Sequence, residues 1–314
     1  MTADLQNPIF NDETAAREAL ERLRWPDGPV CPHCGSVDKI AKVEGRKQTH
    51  RPGLYYCNEC KGQFTVTVGS VFERSKISLC KWWLATYLLC ASKKGMSSHQ
   101  LHRSLGVTYK TAWFMSHRIR EAMADGFFRG PIGGDGKYVE ADETYYGRKE
   151  GSEVKRGHGH KHPVVSLVER GGKVRSFHVA NVTAKTLAPI MQKHIARNTN
   201  LMTDEAAVYV RVKKDTKKHF ASHLSVNHSA DEYVRGMAHT NTVEGYFSLL
   251  KRGLHGTYHH VSEQHLGRYV GEFDFRYNNR ASLEVTDWQR TMNAMRGIEG
   301  KRLTYRRVNG EAFT

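Results

Sequence analysis

Four cysteines, arranged as Cys31-Pro-His-Cys34 and Cys57-Asn-Glu-Cys60, constrain this chain more than any other feature. Each pair sets two thiols on one tight turn, so all four sulfurs can face a single tetrahedral ion at about 2.3 Å. The pairs are separated by 22 residues, with Gly35 directly after the first and Gly62 one residue beyond the second. A closed shell of four thiolates leaves no open position, so zinc there is expected to be structural, holding a module too small to fold on an apolar core. A redox Cys-x-x-Cys explains one pair but not the second. His33, inside the first pair, is a surplus donor once four thiolates are in place. Cys80 and Cys90 fall in an apolar stretch and read as core residues.

Lys and Arg outnumber Asp and Glu by 48 to 32, a net charge of +16, and the excess is spread along the chain. That distribution calls for a polyanionic partner, with nucleic acid first. Asp4, Asp12 and Glu13 come early, without the apolar segment of a secretory signal. The longest apolar run, Trp82 to Ala91, falls far short of the roughly 20 residues that span a bilayer. No membrane contact is expected, and the chain is placed in the cytoplasm with the nucleoid.

Apolar spacing through Ile9, Ala16, Leu20 and Leu23 predicts a helix over 9–25, ended by Trp25-Pro26. Residues 31–71 turn to Gly, Cys and short β-prone pieces, Leu54 to Tyr56 and Phe64 to Val68. Residues 76–125 read as helical. There Ser97-x-x-Gln100 has the form of a capping box, Gly106-Val107 supplies a turn, and Thr108 caps a second helix. On that helix Lys110, His117, Arg118 and Arg120 offer polar groups to a major groove, with Lys110 and Arg118 the candidate DNA contacts. An ordinary helical hairpin fits the same spacing. After Gly130 to Gly134, candidate strands lie at Tyr138 to Tyr145, Pro163 to Glu169, Val174 to Val179 and Asn200 to Asp204. Helices are expected over 183–197, about 240–254 and 262–280. The charged, Gly-rich stretch Gly147 to His162 reads as an exposed hairpin tip, and its alternating His158-Gly-His160-Lys-His162 as a solvated loop before a weak metal site. The resulting division is 1–72, 73–129, 130–285 and a tail, 286–314.

Acids gather at three places. Tyr138 to Tyr145 holds Glu140, Asp142 and Glu143, with the first two on one face of a strand. Carboxylates beside a sheet's core are expensive and ask for a reason such as a cation; a solvated edge strand is the bland alternative. Asp204 ends an apolar strand just before a helix, where it could equally serve as an N-cap. Glu244 shares a polar helix face with Asn241, Ser248 and Lys251, opposite Val243, Phe247, Leu250 and Leu254, while Asn241-x-x-Glu244 also has capping-box spacing.

The phrases Val139-Glu140-Ala141-Asp142-Glu143-Thr144-Tyr145, Thr203-Asp204-Glu205 and His239-Thr240-Asn241-Thr242-Val243-Glu244-Gly245 resemble bacterial insertion-sequence transposases of the zinc-ribbon DDE type, the ISXO2-like group. Lys251-Arg252-Gly253 and Glu272-Phe273-x-Phe275-Arg276-Tyr277-Asn278-x-Arg280 continue the likeness, which spans about 15–285. The resemblance implies an α/β, RNase H-like domain with a mixed five-stranded sheet and flanking helices, behind a zinc ribbon and a helix-turn-helix. It puts Asp142 on the first strand, Asp204 after the fourth and Glu244 on a following helix, as catalytic acids holding magnesium. Some relatives have Asn at the last position; this chain keeps the acid. Lys251 resembles the family's basic residue that holds the DNA end, and Asn241 and Arg252 are taken with it as DNA contacts.

On that basis two Mg²⁺ or Mn²⁺ ions, with Asp142 bridging, suit cleavage at the element's ends and strand transfer into target DNA. The implied partners are terminal inverted repeats, target DNA and further copies of the chain assembled on the ends. An RNase H-like nuclease or resolvase shares the acids but has no use for two DNA-reading modules. A zinc-ribbon transcriptional regulator predicts DNA binding without nicking.

Overall fold

The computed structural model describes residues 5–44, 50–124, 130–226 and 234–304; Asp4 and positions 305–314 of the tail lie outside them. The chain divides into two compact units, one of 1–127 with 285–314 and one of 128–284.

In the first unit, α1 (Glu13–Arg24) is capped by Asp12, which accepts from the Ala15 N–H, and buries Ala16 and Leu20. Glu13 accepts from the backbone N–H of Leu79 and Cys80, at 2.9 and 3.2 Å, and so caps α2 (Leu79–Ala91), whose own Ser78 makes no capping bond. Helix α2 buries Trp82, Trp83, Leu89 and Cys90, while Cys80 is half-buried; each large apolar side chain so enclosed contributes about 1.5–3 kcal/mol. Between these helices β1 (Ile40–Lys42), β2 (Tyr55–Cys57) and β3 (Gln63–Phe64) form an antiparallel ribbon. Trp25 sets its edge against Tyr55 and Phe64, at 5.3 and 5.8 Å, which themselves stack. The strand expected through Val68 stops at Phe64, because the Arg24 guanidinium takes the carbonyls of Val66 and Val68.

Helices α3 (Ser98–Leu105) and α4 (Tyr109–Met123) begin where their caps indicate: Ser97 Oγ accepts from the Gln100 N–H and Thr108 Oγ1 from the Thr111 N–H. Gly106, at φ +59°, takes the left-handed turn between them, which disfavours a side chain. Lys110 stands exposed in the first turn of α4. His117, Arg118 and Arg120 are buried, which corrects their reading as groove-facing groups. Arg118 is 7 % exposed and donates to the carbonyls of Glu73 and Leu303, and Arg120 donates to Ser116 Oγ. The later turns of α4 pack against α2 and against α9 (Asp287–Arg296). Arg290 of α9 donates to the Cys90 carbonyl at 2.8 Å, and Trp288 stacks on Trp83, so the segment after 285 supplies a helix to this unit.

The second unit is a five-stranded mixed sheet of RNase H-like topology. Its strands are β4 (Tyr138–Tyr146), β5 (His162–Glu169), β6 (Val174–His178), β7 (Asn200–Asp204) and β8 (Ser222–Val226), in the order β6-β5-β4-β7-β8. β4, β5 and β6 pair antiparallel, whereas β7 and β8 join in parallel. Strand alternation divides the core. Val139, Ala141, Val165 and Leu167 face α5 (Ala184–His194) and α6 (Ala207–Asp215). Tyr146, Val164 and Val168 face α7 (Asn241–Gly253) and α8 (Glu263–Asn278).

The 272–280 motif works here as a clamp. Glu272 is buried with Arg276 and accepts from Tyr258, the Asn278 amide pairs with both backbone groups of Val174, and Arg280 reaches the Gly172 carbonyl.

Glu140, with no exposed surface, is answered by protein groups. It accepts from the Thr242 and Val243 N–H at 2.7 and 2.9 Å, from Thr242 Oγ1, and from Arg170 Nε at 2.6 Å, with His239 Nδ1 at 3.2 Å. It therefore caps α7 from the sheet, and Arg170 extends the link to the carbonyls of Met237 and His239. Glu140→Ala, which strands Arg170 and two helix N–H groups, should lower unfolding free energy by about 3–5 kcal/mol, with Glu140→Gln intermediate, in urea denaturation; equal stability of all three proteins would refute this role.

Candidate active site and zinc centre

The four thiols of the ribbon converge, each sulfur within 4.8 Å of the others. Cys31 Sγ lies 3.7 Å from Cys60 Sγ, and Cys34 Sγ 3.7 Å from Cys57 Sγ. A tetrahedron with 2.3 Å bonds has an edge of about 3.8 Å, so the cage already has the dimensions of a zinc shell. The backbone N–H groups of Cys60 and Glu59 bring the Cys57 thiol down to about 6, while against the Ser36 N–H desolvation and the neighbouring thiols carry Cys34 up to about 12, so the four sulfurs share their protons unequally until a cation replaces them. His33 packs edge-on to Phe64 and is not among the converging donors.

The acids come from three separate elements. Asp142 lies in the middle of β4 and Asp204 ends β7; the parallel register pairs Glu140 with Met202, so these two acids sit two residues further along, level with one another on the same face. Glu244 stands exposed in the first turn of α7, whose entry Glu140 fixes on that same face of the sheet. Burial, above all, pushes the Asp142 carboxyl up to about 8, and the charges of Glu143, Asp204 and Glu244 push the same way against the Glu143 N–H it accepts. The three do not close as tightly as the thiols: among the described residues, the groups whose donors all meet within 4.8 Å are the four cysteines and a second set, His162, His178 and Glu263.

Neither structural alternative for these acids is realised. The residue before α6 is Ala206, and Asp204 Oδ1 accepts from its N–H at 3.0 Å, leaving the carboxylate at the strand end. Asn241 is the first residue of α7, not its cap, and Glu244 Oε1 accepts from Thr240 Oγ1. Asn241, Ser248, Lys251 and Arg252 are exposed like Glu244, with Arg252 folded back onto Ser248. Glu143 lies on the opposite face of β4 from Asp142, as alternation along the strand requires. It points to the α5 and α6 side and accepts from Tyr209 at 2.7 Å, yet its charge bears on Asp142 more than that of any other acid. Tyr209 alone, apolar in pattern and 66 residues distant, gives no sequence signal of this bond.

Residues 128–278 match the family of the ISXO2-like transposase domain, and residues 11–63 match the transposase zinc-ribbon domain. A protein described as uncharacterized, in transposable element ISH50 of Halobacterium salinarum, is 29 % identical over 278 residues, 85 % of this chain and 91 % of that protein. Among solved structures, the simian T-cell lymphotropic virus intasome in complex with PP2A regulatory subunit B56 gamma aligns at 14 % identity and a TM-score of 0.31, covering 62 % of this chain and 74 % of that one. The Mos1 strand transfer complex aligns at 13 % identity and a TM-score of 0.24, covering 63 % and 76 %.

Two outcomes follow from this geometry. Cys57→Ser should release about one equivalent of zinc per chain under dialysis, read by elemental analysis; zinc-free wild type would overturn the centre. Asp142 has its native pKa raised from 3.8 to about 8, so the native state keeps a proton that the unfolded chain gives up. Its stabilising effect is complete below about pH 4 and is lost as pH rises through 8. Without divalent metal, Asp142→Asn should gain on wild type between pH 5 and 9 by on the order of 1 kcal/mol or more; parallel melting profiles across that range would contradict it.

Proposed function

The chain is an insertion-sequence DNA transposase of the zinc-ribbon, ISXO2-like type, and from that premise we propose that Asp142, Asp204 and Glu244 are its catalytic acids and hold two divalent ions. The observation that carries this reading is the state of Asp142: a half-buried carboxyl raised to about 8, with Asp204 and Glu244 both acting on it from other elements. Such a cluster gains stability by accepting positive charge, and its oxygen donors suit Mg²⁺ or Mn²⁺ over softer ions. Divalent ions held by these three acids would supply charge neutralisation at the phosphate and lower the pKa of the attacking water or 3′ hydroxyl. Asp142 stays fixed by the sheet, Asp204 by its turn bond to Ala206, and Glu244, on the exposed face, has room to move onto a metal. Asp142 would lie between the other two acids in such a centre, with Asp204 and Glu244 on either side of it.

DNA is engaged by this chain, and the finer assignments are ours. Lys251, Arg252 and Asn241 lie on the face of α7 that carries Glu244, where they meet the phosphate backbone beside the scissile bond. Helices α3 and α4 read the element's end with Lys110 foremost; Arg118, spent on two carbonyls, takes no part. The chain acts in the cytoplasm, on the nucleoid, and assembles as copies on paired ends; no helix among the described residues is long and apolar enough to cross a membrane.

The decisive set is Asp142→Asn, Asp204→Asn and Glu244→Gln. Each should cut metal-dependent cleavage and joining of an end-bearing duplex by at least about 100-fold, the scale of a lost electrostatic stabiliser, while the gel-shift affinity for that duplex stays within a few-fold. Glu205→Gln serves as the neighbouring control and should retain activity. Active Asp204→Asn beside inactive Glu205→Gln would reassign the triad. Lys251→Ala should reduce joining with little change in melting temperature; undiminished joining would remove it from the site.

A further inference from the structure

His162, His178 and Glu263 meet on the second unit, outside the acid centre and outside the ribbon. We propose that they form a second transition-metal site, selective for a Zn²⁺-class dication, which ties the start of α8 to the sheet. His162 opens β5, His178 ends β6 and Glu263 is the first residue of α8, so three elements each contribute one donor. All three donor atoms lie within 4.8 Å of one another. His162 Nδ1 and Glu263 Oε1 are 3.5 Å apart, close to the roughly 3.4 Å edge of a tetrahedral shell with bonds of 2.0–2.1 Å.

The second indication is His162 itself. It is 3 % exposed, and its Nδ1 is buried without a hydrogen-bond partner while directed at this cluster. An imidazole nitrogen left so is costly unless something occupies it. The rings of His162 and His178 are 5.6 Å apart and nearly perpendicular, which leaves both edges open to a shared ligand instead of stacked on one another. Glu263 is largely exposed and can shorten the remaining distance by rotation. A fourth position is available to water or a further donor: His162 and Glu263 line a cavity of about 450 Å³ that also presents Glu150, His255, His259 and His260.

Donor chemistry separates this site from the other two. Two imidazoles and one carboxylate favour Zn²⁺ or Co²⁺ over Mg²⁺, which prefers a shell of oxygens. His162 pairs with Tyr146, four residues along β4 from Asp142, which places the site about 13 Å away along the strand.

The test is a metal count on the full chain, dialysed against Zn²⁺ in excess Mg²⁺. Wild type should hold two equivalents of zinc. His178→Ala and Glu263→Gln should each hold one, and neither replaces a residue of the apolar core. On Co²⁺ titration the sulfur-to-cobalt absorption of the thiolate site should saturate with one equivalent, and the second should add only visible ligand-field bands, absent in both variants. Zn²⁺ in the second equivalent should raise the melting temperature of wild type by several degrees and leave the variants unmoved. A single equivalent in wild type, or a second one that both variants retain, overturns the site.

Discussion

A carboxylate that never meets solvent holds the catalytic unit in register. Glu140 comes from the central strand of the sheet, and a bare ion there would be costly by several kcal/mol. Two backbone N–H groups, a threonine hydroxyl and Arg170 offset that cost, and the N–H groups belong to the first turn of α7. Strand and helix thus meet at a charged, directional contact, which fixes rotation as well as position in a way apolar packing alone does not. Glu244 is one residue past that contact and Asp142 two residues along the strand. The placement of the two acids is therefore set by a third acid, Glu140, whose own oxygens are taken by protein donors.

This division of labour explains what the sequence discloses and what it hides. Three acids within four residues of β4 rightly signal an unusual strand, and alternation places Glu140 beside Asp142. Which of them is satisfied by protein depends on Arg170 and Thr242, 30 and 102 residues away, and no local pattern carries that information. The ribbon is the opposite case. Each Cys-x-x-Cys turn supplies its own geometry, so spacing alone describes the centre before any tertiary contact is known. Caps are similarly local, and Ser97 and Thr108 start their helices as their sequence positions indicate.

The misread elements share one cause: the partner that decides their environment lies far along the chain. Arg118 and Arg120 look solvent-facing on α4, but α9 and residues near 303 return to enclose them, and a guanidinium enclosed with carbonyls to bond is stable there. Strand β8 escapes notice because Ser222 to Val226 is poor in apolar residues. It lies at the sheet edge beside β7, where it buries only Val226. Histidines 158 to 162 read together as a loop, and most of that loop is exposed. Only the last of them enters a strand, and β-pairing with Tyr146 then carries it into the layer beneath α8.

The thiol cluster and the acid cluster also differ in how each is held in place. The thiols of the ribbon are assembled to ligand distance in a module with few buried apolar side chains, Leu54, Tyr55, Phe64 and Val66 among them, so folding there draws on metal affinity. The acids instead sit on a sheet with a complete apolar layer on each face, and their mutual repulsion is tolerated because that scaffold does not depend on relieving it. Burial, with this repulsion added to it, raises the affinity of the Asp142 carboxyl for a proton. The same repulsion, which Glu143, Asp204 and Glu244 all exert on Asp142, would favour a hard dication there. Where stability is surplus, the sheet can hold an electrostatic conflict at its centre; where it is scarce, in the ribbon, the metal site must itself be the source of stability.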